Sequence, residues 1–167
     1  MTPRKRIALV VLLLSASVGC DQKTKHLARE HLGDRPGVSF LAGILRLDYA
    51  ENTGGFLSLG AFLPAAWRAA IFNVACSAGM AAVLLYTLFA ARINHLQVIG
   101  LSLICGGGIG NLIDRWSFGY ARDFLNIGVG PIRTGIFNVA DVALMAGCLL
   151  VLWSQRSVAQ AGKPAPR

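Results

Sequence analysis

Two Asn-x-x-Asp pairs, Asn111–Asp114 and Asn138–Asp141, stand at the edges of two apolar stretches of this 167-residue chain. On a helix, residues three apart share a face, so each pair presents an amide and a carboxylate to the same neighbour. Asp141 is the sharper case, because it lies inside the run Phe137-Asn138-Val139-Ala140-Asp141-Val142 with no basic residue close in sequence. A carboxylate there must find a partner, keep a proton or face water. Asp123, in Tyr120-Ala121-Arg122-Asp123-Phe124, sits in the connection between the two stretches and can reach either. Beyond the first apolar stretch, Asp21 and Lys25 stand at i and i+4 with the acid N-terminal, the favourable orientation for a helical pair. Two carboxylates held close in a poorly solvated place cannot both ionise. One keeps its proton, and the pair then supplies both base and acid for attack of water on an amide carbonyl. Residue types and spacing rank Asp141 first and do not separate Asp123 from Asp114 as its partner.

Other chemistries find less support. His26, His31 and His95 form no H-E-x-x-H pattern, and no serine lies in a G-x-S-x-G context. Cys20, Cys76, Cys105 and Cys148 stand far apart without a C-x-x-C pair, so they indicate neither a disulfide framework nor a zinc site and read as buried small hydrophobes. Gly106-x-x-x-Gly110 follows no strand and precedes no P-loop lysine; it reads as a stripe for close helix packing. Carboxylate chemistry without a metal or cofactor is the enzymatic option that remains.

The elements that must position these groups are membrane helices. The chain is 54% hydrophobic and 14% charged, against about a quarter charged in a soluble domain. Its net charge of +8 then reports anionic lipid headgroups rather than nucleic acid. Apolar stretches predict an all-α membrane protein with four spans, at about 7–27, 69–91, 96–113 and 137–153, within one domain, 1–153. The segment 154–167 is expected to be a disordered cytoplasmic tail. Arg4-Lys5-Arg6, a short apolar core and Ser17-Val18-Gly19-Cys20 look like a lipoprotein signal peptide, but Ser17 stands where such a signal carries Leu and three more spans follow, so the segment reads as an uncleaved first span. Four spans put both termini on one side, and Arg4 to Arg6 beside the first helix assign that side to the cytoplasm. Asp21, Lys25, Asn111, Asp114, Asn138 and Asp141 then gather at the opposite, periplasmic face. Between spans one and two, 38–40 and 44–49 are β-rich and Asn52-Thr53-Gly54-Gly55 is a turn signal, which predicts a small periplasmic β-containing subdomain. The segment 52–60 is expected to act as a lid.

These motifs, in this order, resemble the bacterial lipoprotein signal peptidase (signal peptidase II) family: Asp21-Gln22-Lys23-Thr24-Lys25, Asn52-Thr53-Gly54-Gly55-Phe56, the run from Gly106 through Asn111 to Asp114-Arg115, Asp123-Phe124, and Phe137-Asn138-Val139-Ala140-Asp141. The resemblance covers 7–153. It implies an inner-membrane aspartic endopeptidase with catalytic Asp123 and Asp141, and supporting roles for Asp21, Lys25, Asn52, Gly54, Asn111, Asp114, Arg115 and Asn138. It further implies a diacylglyceryl-modified prolipoprotein as substrate, cut on the N-terminal side of its lipid-bearing Cys, with membrane lipids as partners and a monomeric enzyme. Two positions depart from the family pattern: Ala121-Arg122 replaces apolar residues before Asp123, and Gly54-Gly55-Phe56 replaces the commoner Gly-Ala-Ala-Phe. Arg122 beside Asp123 is expected to favour its ionised form. A different class of function, a small proton-coupled transporter with Asp141 as carrier, would want polar groups through the bilayer depth, where the second span offers only Asn73, Ser77 and Thr87. A third reading makes the chain an assembly subunit whose acidic cluster is only structural.

Overall fold

The structure, a computed structural model, describes residues 1–55, 60 and 62–161. Four helices carry it: α1 (Pro3–Leu32), α2 (Ala65–Phe89, π-helical over Ala69–Ala75), α3 (His95–Phe118) and α4 (Val139–Ala161). The first three are each long and apolar enough to cross a membrane, and the apolar part of α4, Val139–Gln155, is shorter. The hydroxyl of Thr2 caps α1 by accepting from the Lys5 amide at 3.4 Å, and Pro3 occupies the first turn, where a missing N–H is harmless. At 1.5 Å per residue the helix is about 45 Å long, more than a hydrocarbon layer of about 30 Å requires. Its last turns carry Ala28 and Leu32 into a core with Phe124, against which Leu47, Tyr49, Leu125 and Val139 pack.

All of those core partners but Val139 belong to an antiparallel sheet, in the order β1 (Val38–Phe40), β2 (Leu45–Asn52), β3 (Ala121–Val129) and β4 (Ile132–Arg133). The first two strands fall where the β-rich segments predicted them. The other two lie in what reads from sequence as an outer loop over 114–136. Asp114 breaks the apolar pattern and suggests a helix end, yet it is buried and paired, so α3 runs on to Phe118 and ends at Gly119, whose φ of 83° suits glycine. The sheet register shifts between Leu47 and Ala50. This bulge lets Ala50 pair with Asp123 and Asn52 with Ala121, and so aims the inner end of β3 at the helix ends. In the β1–β2 turn, Leu41 and Ala42 adopt φ of 52° and 53°, a left-handed conformation that costs an L-residue about 1–2 kcal/mol.

Helix α3 is the hub of the bundle, and its glycines decide how close the neighbours come. A Cβ at Gly106 would stand 2.5 Å from the Ser17 Cβ of α1, one at Gly108 would meet Met80 of α2, and one at Gly107 would meet the Ala140 carbonyl of α4. One heptad away, a Cβ at Gly100 would stand 2.8 Å from the Gly147 carbonyl. The contacts Gly100–Gly147 and Gly107–Ala140 thus recur every seven residues along antiparallel α3 and α4, the spacing that keeps two helices in register. The small-residue packing read from Gly106 and Gly110 is present, and it extends further along α3.

Two expectations change. Only Cys105 is buried, while Cys20, Cys76 and Cys148 are exposed, because each helix of so small a bundle keeps an outward side for lipid. Helix α4 continues past Ser154 to Ala161, so the described part of the expected disordered tail is helical; 162–167 lie outside the described residues. The expected lid over 52–60 is described only at 52–55 and 60.

Candidate active site

The N-terminus of α4 is the point on which the polar groups converge. Asn138 and Asp141 form a reciprocal cap: the Asn138 side-chain oxygen accepts from the Asp141 amide at 3.0 Å, and Asp141 Oδ2 accepts from the Asn138 amide at 3.1 Å. This is the local reason for Asn-x-x-Asp, and it holds the Asp141 carboxyl through contacts within its own helix end. Its other oxygen, Oδ1, accepts from Asn111 Nδ2 of α3 at 2.9 Å. Asp123 arrives from β3 and is held in the same way, Oδ1 accepting from Asn138 Nδ2 at 2.6 Å and Oδ2 from Asn52 Nδ2 at 2.9 Å. All four carboxyl oxygens of the pair therefore receive a hydrogen from a neutral amide. Both side chains are buried. Burial, with the nearby Asp141 charge adding to it, outweighs the hydrogen bonds from Asn52 and Asn138 and pushes the Asp123 carboxyl up to about 6.

Beneath the pair lies a second, wholly ionic cluster. Lys25 Nζ stands 2.8 Å from Asp21 Oδ2 and 3.3 Å from Asp114 Oδ2, and all three side chains are fully buried. Arg122 joins from β3, Nη2 to Asp114 Oδ1 at 2.6 Å and its backbone amide to Oδ2 at 2.9 Å. Two carboxylates and two cations make this cluster neutral, and removing one partner from such a buried set typically costs about 3–5 kcal/mol. The cluster touches the upper pair through one amide: Lys25 donates to Asn111 Oδ1 at 2.8 Å, as does Asn138 Nδ2 at 3.0 Å. With two donors on its oxygen, Asn111 must turn its NH2 toward Asp141. Asp21 Oδ1 meanwhile accepts from the Ala140 amide at 2.9 Å, which docks the positive end of α4 onto α1.

Arg115 completes the site from above. It donates to the Gly54 carbonyl and, at 3.4 Å, to the Asn111 carbonyl, lies 5.6 Å from the Phe72 ring centroid, and feels the charges of both Asp123 and Asp141. Asn52 shapes the Gly54 turn, its side-chain oxygen accepting from the Gly54 amide at 3.0 Å. Asp141, Asn111 and Arg115 border a cavity of about 260 Å³ whose apolar walls include Phe72, Met80, Leu112 and Leu144. Among the described residues no group of three or more His, Cys, Asp or Glu is placed to hold a metal ion.

Residues 12–156 match the family of signal peptidase (SPase) II. The chain belongs to the signal peptidase II family. Its curated relatives include the lipoprotein signal peptidases of Caldicellulosiruptor bescii (38% identical, 84% of this chain and 85% of that one), Chlorobium phaeobacteroides (36%; 89% and 92%) and a Sulfurihydrogenibium species (31%; 91% and 93%). A solved bacterial membrane enzyme shares the fold with a TM-score of 0.81 at 23% identity, over 96% of this chain and 95% of that one. Membership in the signal peptidase II family leaves the transporter reading without support and makes the chain a peptidase of a bacterial membrane.

All ten residues singled out in the sequence, Asp21, Lys25, Asn52, Gly54, Asn111, Asp114, Arg115, Asp123, Asn138 and Asp141, meet in this signal peptidase II fold. Two features escaped the sequence. Gln22 donates to Asp114 Oδ1 at 3.2 Å and accepts from Arg122 Nη2 at 3.0 Å; its only signal is its place beside Asp21. Arg122 does not serve Asp123 as expected, because successive residues of a strand point to opposite faces, and its guanidinium turns to Asp114.

Proposed function

We propose that this chain cleaves the signal peptide from diacylglyceryl-modified prolipoproteins, on the N-terminal side of the lipid-bearing Cys, by aspartic catalysis at Asp123 and Asp141. The observation that carries the reading is the pair of buried carboxyls, held by four amide hydrogens, of which Asp141 borders an apolar cavity. A cation on either carboxyl would hold both ionised; amides orient the oxygens yet leave one proton to be shared. With its carboxyl pushed up to about 6, Asp123 is the member that keeps this proton. Asp141 takes a proton from water as the water oxygen bonds to the scissile carbonyl carbon, and Asp123 donates its own to the carbonyl oxygen. Collapse of the resulting gem-diol breaks the C–N bond, the proton on Asp141 passes to the leaving nitrogen, and a hydroxyl proton returns to Asp123.

Asp21, Lys25, Asp114 and Arg115 hold the frame, Asn52, Asn111 and Asn138 orient the carboxyls, and Gly54 ties the start of the 52–60 segment to Arg115. The lipid anchor and signal helix of the substrate confine its scissile bond to the membrane surface, so docking is a two-dimensional encounter with the bond already oriented. We place the enzyme in the inner membrane as a monomer of one domain, 1–153. It crosses four times with both termini cytoplasmic and the site at the periplasmic face, needing no cofactor. Arg6 supports this arrangement by donating to the carbonyls of Leu88 and Ala90 at 3.1 and 2.8 Å, which keeps the basic N-terminus on the side of the 90–94 loop. Asp123→Asn and Asp141→Asn are each expected to abolish cleavage of a diacylglyceryl-modified precursor while leaving membrane insertion intact. Full cleavage by either variant would overturn the assignment.

A further inference from the structure

The outer half of the sheet presents an apolar face that, among the described residues, nothing in the bundle covers. Residues paired directly across strands share a face, so Val38, Leu47 and Leu125 lie with Phe40, Leu45 and Ile127 on one side, and the Val129–Ile132 pair continues it. Leu47 and Leu125 pack on the core with α1. Beyond them the side chains are bare: Val129 is 71% exposed, Ile132 83%, and Leu41 in the adjoining turn 72%. The other face carries the row Ser39, Arg46 and Asn126, and Arg133 donates to Asn126 from the neighbouring strand. Over 38–46 and 126–133 there are two arginines and no carboxylate.

This tip is built rather than loose. Arg133 also donates to the carbonyls of Gly43 and Ile44 at 2.8 and 3.3 Å, which ties the β1–β2 turn to the β3–β4 turn. Leu41 and Ala42 hold a left-handed backbone that displays Leu41 to the outside at a conformational cost. A contiguous apolar patch outside the crossing helices marks a binding surface. The phase beside it is lipid: β3 starts directly after α3 and β4 leads into α4, so the sheet is carried on the ends of the membrane bundle. Its one apolar face and one polar face, charged only by Arg46 and Arg133 over these residues, make it the sheet counterpart of an interfacial amphipathic helix, which binds acyl chains on one side and anionic headgroups on the other.

We propose that the outer half of this sheet lies in the headgroup–acyl boundary of the bilayer, with Leu41, Val129 and Ile132 among the acyl chains and Arg46 at lipid phosphates. The test uses the full chain with its four cysteines replaced, a nitroxide-labelled cysteine at Leu41, at Ile132 or at Asp48, and reconstitution in vesicles of phosphatidylethanolamine and phosphatidylglycerol. Labels at Leu41 and Ile132 are expected to collide more with oxygen than with a water-soluble nickel chelate, and the label at Asp48 to show the reverse. Two labelled positions guard against one that perturbs the turn, and helix content checks the fold. Nickel accessibility at Leu41 and Ile132 equal to that at Asp48 would overturn the proposal, as would spin–spin coupling between labels of two chains, which would make the face a self-interface. Peptide cleavage is no part of the readout, so failure here is distinct from failure of the catalytic assignment.

Discussion

Asp123 and Asp141 are bound alike by amides yet differ in what surrounds them. Asp141 is built into a helix cap, whereas Asp123 stands on a strand, and its buried carboxyl is pushed up to about 6 from an ordinary 3.8. The raised value fixes the sign of a stability effect. The protonated form suits the fold, so the contribution of Asp123 is complete below about pH 4 and is lost as the pH rises through about 6. Ionisation then costs on the order of 3 kcal/mol. Asp123→Asn removes this titration and gives up one hydrogen bond, since its NH2 must face a donor from Asn52 or Asn138. Wild type is thus expected to lose thermal stability relative to Asp123→Asn as pH climbs from about 4 to about 8 in detergent. A difference that stays flat or runs the other way would show that Asp123 is ionised throughout. At this scale the sequence was informative about Asp141, because an unpartnered carboxylate in an apolar run is costly wherever it sits. It left Asp123 and Asp114 tied, since each has an arginine next to it; their surroundings differ only once strand alternation sends Arg122 to Asp114 and leaves Asp123 to amides.

The elements succeed by close approach. Helices α3 and α4 meet backbone to backbone at Gly100–Gly147 and Gly107–Ala140, and Ala140 precedes Asp141 in the cap. Gly107→Ala would set a methyl against the Ala140 carbonyl and the Leu144 backbone. Neither is a flexible side-chain end, so α4 itself must move, at a cost of about 1–3 kcal/mol. Such a shift pulls Asp141 away from Asn111, and a displacement near 1 Å at a reacting group can cost about a hundredfold in rate. Gly107→Ala is therefore expected to lower kcat by that order with KM little changed; Gly79→Ala, whose Cβ would meet nothing within 4 Å, is expected to keep wild-type kcat. Equal kcat values for the two variants would show that the α3–α4 spacing does not position Asp141. Crossing helices were legible from apolar runs and β1 and β2 from their β-rich composition. The strand that carries Asp123 was not, because Arg122 and Asp123 in sequence look like a solvated loop. They are buried only because partners from α1, α3, α4 and β2 receive them.

Across the whole molecule, charge sorts into a neutral buried cluster, a site with one arginine, and a basic end. Asp21 and Asp114 balance Lys25 and Arg122, while Arg115 lies where it feels the charges of Asp123 and Asp141. Buried charge persists where it is paired, as Asp21, Asp114, Lys25 and Arg122 are, and none of the eight acidic residues stands among Arg4, Lys5, Arg6 and Arg92. Lys/Arg retained beside the first span set the orientation of a membrane chain, and acids count for little in that choice. The hydrogen bonds of Arg6 to the last turn of α2 then fix the 90–94 loop on the same side as the N-terminus. A cysteine placed at Arg92 is accordingly expected to resist a membrane-impermeant maleimide in intact spheroplasts and to react once they are lysed, whereas a cysteine at Asp48 on β2 reacts in both. Reaction at 92 before lysis would invert the chain, put Asp123 and Asp141 on the cytoplasmic side, and separate the carboxyl pair from any substrate anchored in the outer leaflet.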